Sequence, residues 1–184
     1  MIKKYPINLD LSGTFDIEYW YKEKLLDSFN KSNNVANQAK NRFLDISFYR
    51  VPKITSWWMG LIDNINYTSV AITDVYNQIN GTNGWIEFTN YTDTNNANNA
   101  TTRPLWNTDI ASGQAISNTT IKSLFDITGN GAIRGIFLVG GAPNAQTKND
   151  RTNGNAIIWA SAILSDIYPI VAGAQFKVTY TIDA

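Results

Sequence analysis

The sequence predicts a mainly β fold, an antiparallel β-sandwich of the jelly-roll or immunoglobulin-like kind with a partly helical N-terminal extension. One observation is the run at residues 131–139, which is apolar on both faces, free of proline and bounded by glycine-rich turns. A second is the alternation of apolar and polar residues over 174–182, which is typical of a half-exposed strand. With the other short β-rich runs, roughly seven or eight strands are expected, as in a sandwich.

The composition is that of a chain with a substantial core. Of 184 residues, 43% are hydrophobic and 12% aromatic, including six tryptophans, which is too apolar for intrinsic disorder. The length suits one domain with an added arm. We assign residues 51–184 to the sandwich and residues 1–50 to an N-terminal arm with a helical segment.

The spacing of apolar residues in this arm predicts a helix. Four of them recur at four-residue intervals: Ile17, Tyr21, Leu25 and Phe29. They would share one face of an amphipathic helix over residues 17–29. A weaker helical pattern covers residues 35–44, and alternation over residues 45–51 predicts a strand.

The arm has two interpretations. Either it forms a helical layer on its own sheet, or it reaches a neighbouring subunit, since termini are often ordered by partners. For the second, we predict that aromatic residues of the arm, rather than Trp57 or Trp85, contact other chains. The interface candidates are Tyr19, Trp20, Tyr21, Leu25 and Phe29.

Further strands are predicted on both sides of the central run. Residues 57–63 are densely apolar, and Gly60 among them allows a neighbouring group to approach closely. Residues 85–91 alternate and predict another strand. Residues 92–102 are almost wholly Asn, Thr and Ala, so we expect an exposed, mobile loop there.

The C-terminal half adds shorter elements. Residues 114–127 predict one or two strands, broken at Ser117 and Asn118, and residues 156–164 predict another. The polar, Gly- and Asn-rich residues 143–155 should form a second long surface loop.

The charged and reactive residues exclude several function classes. Fifteen basic residues balance fifteen acidic ones, so no overall field would attract nucleic acid or an anionic membrane. Cysteine and histidine are both absent, which removes disulfides, thiolate nucleophiles, the usual zinc ligands and the commonest general base. No signal segment or membrane-spanning run is recognisable, so we expect a soluble protein made in a cytoplasm. We also expect no cofactor and no metal, since the usual zinc ligands and a phosphate-cradling glycine motif are missing from the sequence.

Paired carboxylates could still carry out acid–base hydrolysis without histidine. Four acidic residues lie near aromatic ones: Asp63, Asp74, Glu87 and Asp93. Their spacing singles out no pair. We interpret Asp63 and Asp74 as turn or capping residues and Glu87 as a solvated residue on a strand face. The prediction is therefore a protein with no catalytic residue.

Binding sites have weak signals only. Four tryptophans could form a stacking platform for sugar rings, namely Trp57, Trp58, Trp85 and Trp106. Core packing accounts for them better, because tryptophan buries a large area. Residues 150–154 resemble a calcium-binding loop only loosely, since they lack the EF-hand spacing and its closing Glu.

From about Ser56 onward, the order of landmarks is similar to that in a group of tailed-bacteriophage virion proteins. The landmarks are Trp57-Trp58-Met59-Gly60-Leu61-Ile62-Asp63, Tyr67-Thr68 with Asp74, Gly84-Trp85-Ile86-Glu87 with Tyr91, Arg103-Pro104-Leu105-Trp106, Ile116-Ser117-Asn118, Ile133-Arg134-Gly135-Ile136-Phe137-Leu138 and Phe176-Lys177-Val178-Thr179-Tyr180-Thr181. The chain departs from that pattern in its N-terminal extension, its enlarged loop at residues 93–102 and its Ala174, where the family tends to have an acidic residue.

This resemblance implies a non-enzymatic β-sandwich component of a phage particle, an auxiliary (decoration) protein bound to the capsid. Its expected partners are the major capsid protein or other virion proteins, with self-association in the particle. Its expected location is the virion, assembled in the host cytoplasm. A neck, tail or head-fibre position and a carbohydrate-binding sandwich module stay open as alternatives.

Overall fold

The computed structural model describes residues 10–65, 70–76, 86–141, 143–149 and 156–184. These ranges contain ten strands and one α-helix. In chain order they are β1 (Ser12–Tyr21), β2 (Lys24–Asn34), α1 (Asn37–Phe48), β3 (Trp57–Asp63), β4 (Glu87–Phe88), β5 (Tyr91–Asp93), β6 (Ala115–Ser117), β7 (Ser123–Ile127), β8 (Gly131–Gly140), β9 (Ile157–Ile170) and β10 (Ala174–Asp183). Short 3-10 helices cover Thr94–Asn96 and Pro143–Gln146.

The strands form two antiparallel sheets. The six-stranded sheet has the order β2-β1-β10-β7-β5, with β6 also paired to the C-terminal end of β10. The four-stranded sheet has the order β4-β3-β8-β9. The predicted mainly β, sandwich-like fold is confirmed, with one short helix near the N-terminus of the described chain.

The main hydrophobic core draws on both sheets. Alternate residues of each strand point into it, because successive side chains of a strand face opposite sides. The six-stranded sheet contributes Phe15, Ile17, Phe125, Phe176, Val178 and Tyr180, and the four-stranded sheet contributes Met59, Leu61, Ile133, Ile136, Leu138, Ala160 and Leu164. The predicted alternation of β10 is therefore confirmed.

A second, smaller core covers the other face of the four-stranded sheet. The intervening residues of β3 and β8 belong to it, with Ile62, Phe137 and Val139 all fully buried. Loop and helix residues complete it, among them Tyr76, Ala145 and Ala36. Strand β8 is thus apolar on both faces because both faces are covered, as the sequence predicts.

The predicted helix over residues 17–29 is wrong, since β1 and β2 form a hairpin there. The chain turns at Lys22 and Glu23, both in the left-handed region, with φ of 47° and 60°. A four-residue spacing also keeps side chains on one face of a strand, so Ile17 and Tyr21 fit either structure. The turn lacks glycine and asparagine, and so the usual sequence signal for a hairpin is missing.

The weaker helical pattern is closer to the structure. Helix α1 begins two residues after the predicted start at residue 35 and continues to Phe48. The strand predicted over residues 45–51 is wrong, because its first four residues belong to α1. Of the alternating residues that suggested a strand, Ile46 is half-buried on the same side of α1 as Ala39, and Phe48 is exposed at the end of the helix.

Strand β1 pairs with β10 along its whole length, from Ser12 opposite Asp183 to Tyr21 opposite Ala174. Its Phe15 and Ile17 are buried in the main core. Residues 12–34 therefore contribute two strands to the sandwich, although the sequence assigned them to an arm outside it.

Two other predicted segments differ in detail. The strand predicted over residues 85–91 is divided, because β4 joins the four-stranded sheet and β5 the six-stranded sheet. Within residues 92–102, Asn95 to Asn98 are exposed as expected. Their loop nevertheless has its own hydrogen bonds, such as Asn95 Nδ2 to the carbonyl of Lys122 at 2.8 Å.

Candidate functional site

The five interface candidates lie in the β1–β2 hairpin, and the hairpin divides them between two faces. Tyr19 stacks on Phe176 at a centroid distance of 4.8 Å, and Phe29 stacks on Tyr168 at 4.4 Å. Tyr21 also packs partly buried against the main core. These three side chains contact their own sandwich.

The other two candidates face away from the core. Trp20 and Leu25 lie opposite each other in the register of β1 and β2. Leu25 is 43% exposed and its neighbour Leu26 is 50% exposed. Of the five residues, the structure thus brings Trp20 and Leu25 together on the outer face of the six-stranded sheet. Their contact with another chain stays a prediction.

The indole of Trp20 is held by charged neighbours on this outer face. Its Nε1 donates to Glu18 Oε2 at 2.9 Å, and Lys177 Nζ lies 4.2 Å from the ring centroid, in a cation–π contact. Glu18 Oε1 accepts a 2.6 Å hydrogen bond from Lys122 Nζ. That bond lowers the pKa of the Glu18 carboxyl below its ordinary value.

A cleft of about 360 Å³ adjoins this tryptophan. It lies where the turn between β1 and β2, the turn between β9 and β10, and the end of β7 meet. Gln175 Nε2 donates to Asp126 Oδ1 at 2.5 Å on its wall. The lining residues are Trp20, Tyr21, Lys22, Glu23, Asp126, Gly173, Gln175 and Lys177.

A second exposed feature is an apolar ridge on α1, formed by Leu44, Phe48 and the adjoining Tyr49. Their exposed fractions are 45%, 81% and 79%. Ala39 is buried, and at about 100° per residue Leu44 and Phe48 lie on the opposite side of the helix from it. The ridge therefore points away from its own domain.

A buried ion pair joins Arg103 to Glu87, both with side chains 0% exposed. Arg103 Nε and Nη2 donate to Glu87 Oε1 and Oε2, each at 2.8 Å. Arg103 Nη1 also donates to the carbonyl of Ala145 at 2.7 Å. Burial lowers the pKa of the guanidinium, but the Glu87 carboxylate outweighs it and raises that pKa above its ordinary value.

Two further groups donate hydrogen bonds to the Glu87 carboxylate. Tyr91 donates its hydroxyl at 3.2 Å, and the backbone N–H of Asn149 donates at 2.6 Å. The prediction that Glu87 is solvated is wrong, because its partner Arg103 comes from a distant loop. The ion pair joins β4 to the loops at residues 102–106 and 143–149.

Asp93 lies nearby, buried at the end of β5. It accepts hydrogen bonds from the backbone of Asn95 at 3.1 Å and from the Thr102 hydroxyl at 3.5 Å. Burial raises the pKa of its carboxyl to about 6, although these hydrogen bonds oppose the shift. Lys148 lies above the Tyr91 ring, 4.2 Å from its centroid, and burial lowers the pKa of its ammonium group.

A second group of buried hydrogen bonds surrounds Asn118, which lies in the loop between β6 and β7. Its Oδ1 accepts from Trp106 Nε1 at 3.1 Å and from the backbone of Tyr180 at 2.7 Å. Its Nδ2 donates to the carbonyl of Val178 at 3.1 Å. The Asn118 side-chain amide thus connects its own loop and the loop that carries Trp106 to the centre of β10.

The remaining acidic candidates have structural partners of their own. Asp63 accepts from the backbone of Ile65, and Asp74 accepts from that of Ala71, both at 2.8 Å. Their interpretation as turn residues is confirmed. Each of the four predicted carboxylates is engaged within the chain, and they do not converge on either of the surfaces described above.

The alternative of a tryptophan platform for sugar rings is not formed by those of its four tryptophans that the structure describes. Trp57 packs edge-on against Trp159 at 5.2 Å, and Trp106 is 6% exposed. Trp58 packs against the second core. The preference for core packing is confirmed for these three, while Trp85 lies outside the described residues.

No group of three or more acidic side chains suited to a metal ion occurs within residues 10–65, 70–76, 86–141, 143–149 and 156–184. The calcium-like loop at residues 150–154 lies outside these ranges. None of the described helices is long and apolar enough to cross a membrane.

Sequence reasoning missed Asp126, Gln175 and Lys177 as members of one surface. They alternate with apolar residues on β7 and β10, which marks them only as outward-facing. Their meeting with Trp20 depends on the pairing of β10 with both β1 and β7. No local signal in the sequence specifies that pairing.

Comparison with known proteins adds no relative. No protein-family profile, curated protein or solved structure matches this chain.

Proposed function

We propose that the chain is a non-enzymatic structural component of a tailed-phage particle, an auxiliary protein that binds the capsid through its α1 ridge. The observation that carries this proposal is the ridge itself. Two large apolar side chains, Leu44 and Phe48, project from the side of α1 opposite its buried residue. Clustered apolar groups exposed in this way mark a protein-binding surface.

The landmarks of the phage resemblance support a structural role. Glu87 and Arg103 form the buried ion pair, and Trp106 and Asn118 form the second hydrogen-bond group. These residues connect segments of the fold and are shielded from substrate. A particle component needs such rigidity and needs no titrating group in a cleft.

The partner surface would include more than three residues. A stable interface buries about 1,200–2,000 Å² in total, so the ridge would be the apolar centre of a larger contact. The exposed pair Leu25 and Leu26 offers a second contact, to a neighbouring copy. The major capsid protein is the partner proposed for the ridge.

The test compares particles assembled with the wild-type chain and with the double variant Leu44→Ser/Phe48→Ser. We expect the wild-type protein in purified particles and at least about tenfold less of the variant, because the apolar contact is lost. Both side chains are exposed, so the free energy of unfolding should change by less than about 0.5 kcal/mol per substitution.

Ile110→Ser is the matched control, since Ile110 is 95% exposed and lies outside the ridge. It should enter particles like the wild type. Absence of the wild-type protein from particles, or normal incorporation of the ridge variant, would contradict the proposal. Separating heads from tails before the copies are counted distinguishes a head position from a neck or tail position.

A further inference from the structure

The cleft beside Trp20 has the dimensions and chemistry of a ligand site. Its volume of about 360 Å³ falls within the range of roughly 300–1,000 Å³ that small-molecule sites occupy. It is open to solvent on the outer face of the six-stranded sheet, and Tyr21 on its wall also packs against the main core. Nothing in the proposed structural role requires it.

The charges around the cleft cancel. Lys22 and Lys177 contribute two positive charges, and Glu23 and Asp126 contribute two negative ones. A strongly charged ligand of either sign would therefore meet a repelling group beside each attracting one. The balance favours a neutral ligand that can both donate and accept hydrogen bonds.

The polar groups of the wall can do both. The Asp126 carboxylate accepts, the Lys177 ammonium group donates, and the Gln175 amide offers both functions. Gln175 and Asp126 are already joined at 2.5 Å, which fixes the two planar groups side by side. Adjacent hydroxyl groups on a ring match such paired planar groups.

The indole of Trp20 supplies an apolar surface next to these polar groups. Its orientation is fixed by two contacts. Its Nε1 donates to Glu18 Oε2 at 2.9 Å, and Lys177 Nζ lies 4.2 Å from the centroid of one ring face. An aromatic ring held in place costs little entropy on binding and packs well against a C–H face. A ligand with both hydroxyl groups and C–H faces uses the whole site.

We propose that this cleft binds a neutral saccharide, with a sugar ring packing on the face of the Trp20 indole that Lys177 leaves uncovered and with Asp126, Gln175 and Lys177 bonding its hydroxyl groups. Trp20 thus contacts a glycan, whereas the sequence suggested contact with another chain. The site is independent of the α1 ridge and does not rest on the proposed capsid contact.

The test applies the full-length protein to an array of neutral hexose and N-acetylhexosamine oligosaccharides, followed by calorimetry with the best-bound one. We expect Trp20→Ala and Gln175→Ala each to weaken binding at least about tenfold. A neutral ligand should bind equally well from about 50 mM to about 500 mM salt, because no net charge is screened.

Two controls keep the result interpretable. Circular dichroism and thermal melting confirm that the variants fold, and Phe48→Ser should bind the saccharide normally because it lies on the ridge. Failure of all neutral oligosaccharides to bind would overturn the proposal. So would a smaller effect from either cleft variant, or binding confined to charged glycans.

Discussion

At the residue scale, the buried ion pair between Arg103 and Glu87 has the largest expected effect on stability. A charge removed from water needs its partner, and loss of one partner leaves the other buried and uncompensated. The pair has a natural comparison in Lys122 and Glu18, whose side chains are 36% and 27% exposed. Both pairs join a cation to a glutamate carboxylate; the Arg103 pair is bidentate and buried, whereas the Lys122 pair has one hydrogen bond and is partly exposed.

We predict that Arg103→Met lowers the free energy of unfolding by about 3–5 kcal/mol, because it leaves the Glu87 carboxylate unpaired. The double variant Arg103→Met/Glu87→Met should lose less than the sum of the two single variants. Urea unfolding measures each value.

Lys122→Met is the control for Arg103→Met, and an exposed pair of this kind contributes at most about 1 kcal/mol. Equal losses for the buried and the exposed variant would contradict the assignment.

Asp93 should make stability depend on pH. Its folded pKa of about 6 lies above the ordinary value of 3.8, so the folded state holds the proton more tightly. The stabilisation of the folded state by protonated Asp93 is therefore complete below about pH 4 and is lost as the pH rises through about 6. At neutral pH, Asp93 is a buried carboxylate that burial disfavours.

We predict that Asp93→Asn, which keeps an acceptor for the Asn95 backbone, gains about 1–3 kcal/mol relative to the wild type between pH 4 and pH 7. Urea unfolding of both proteins at both pH values gives this difference. The contributions of the other carboxylates cancel, because the two proteins share them. A difference that stays constant between the two pH values would show that Asp93 does not titrate in this range.

At the element scale, strands β3 and β8 are joined by a close contact between a glycine and an aromatic ring. Gly60 lies opposite Phe137 in the register, and a Cβ atom on Gly60 would lie 2.1 Å from the ring. The ring thus fills the space that a side chain would occupy. This confirms the prediction that Gly60 permits close approach.

We predict that Gly60→Ala lowers the free energy of unfolding by about 1–3 kcal/mol, because the Phe137 ring must leave its rotamer. Phe137→Leu should remove part of the penalty of Gly60→Ala when the two are combined, since a smaller side chain clears the added methyl group. A double-mutant cycle measures the coupling. Additive effects of the two substitutions would contradict the contact.

At the scale of the whole molecule, the N-terminal hairpin is expected to be indispensable for folding. Strand β1 supplies a ten-residue pairing to β10, and its Phe15 and Ile17 are fully or almost fully buried. Without β1, the inner side chains of β10 would lose neighbours, and β10 would have an open edge along its length.

We predict that a fragment of residues 51–184 does not fold cooperatively, whereas the full chain does. Circular dichroism during a urea titration and the dispersion of methyl signals by NMR distinguish the two outcomes. A fragment that unfolds in one sharp transition would show instead that residues 1–50 are a dispensable arm.

The sequence determined the elements whose pattern is local. Strand β8 is apolar on both faces, which predicts a strand covered on both sides. Strand β10 alternates, which predicts one buried and one exposed face. The sequence pattern of the β1–β2 hairpin is ambiguous, because four-residue spacing fits a strand as well as a helix. Only its pairing with β10 decides between them.

Tertiary structure alone decided the sites. Glu87 and Arg103 are 16 residues apart, and Glu18 and Lys122 are 104 residues apart, so neither pair is visible in any local window. The cleft at Trp20 needs β1, β7 and β10 side by side. Side-chain periodicity fixes which face a residue takes, whereas the order of strands in a sheet fixes its neighbours. That order is a property of the whole chain.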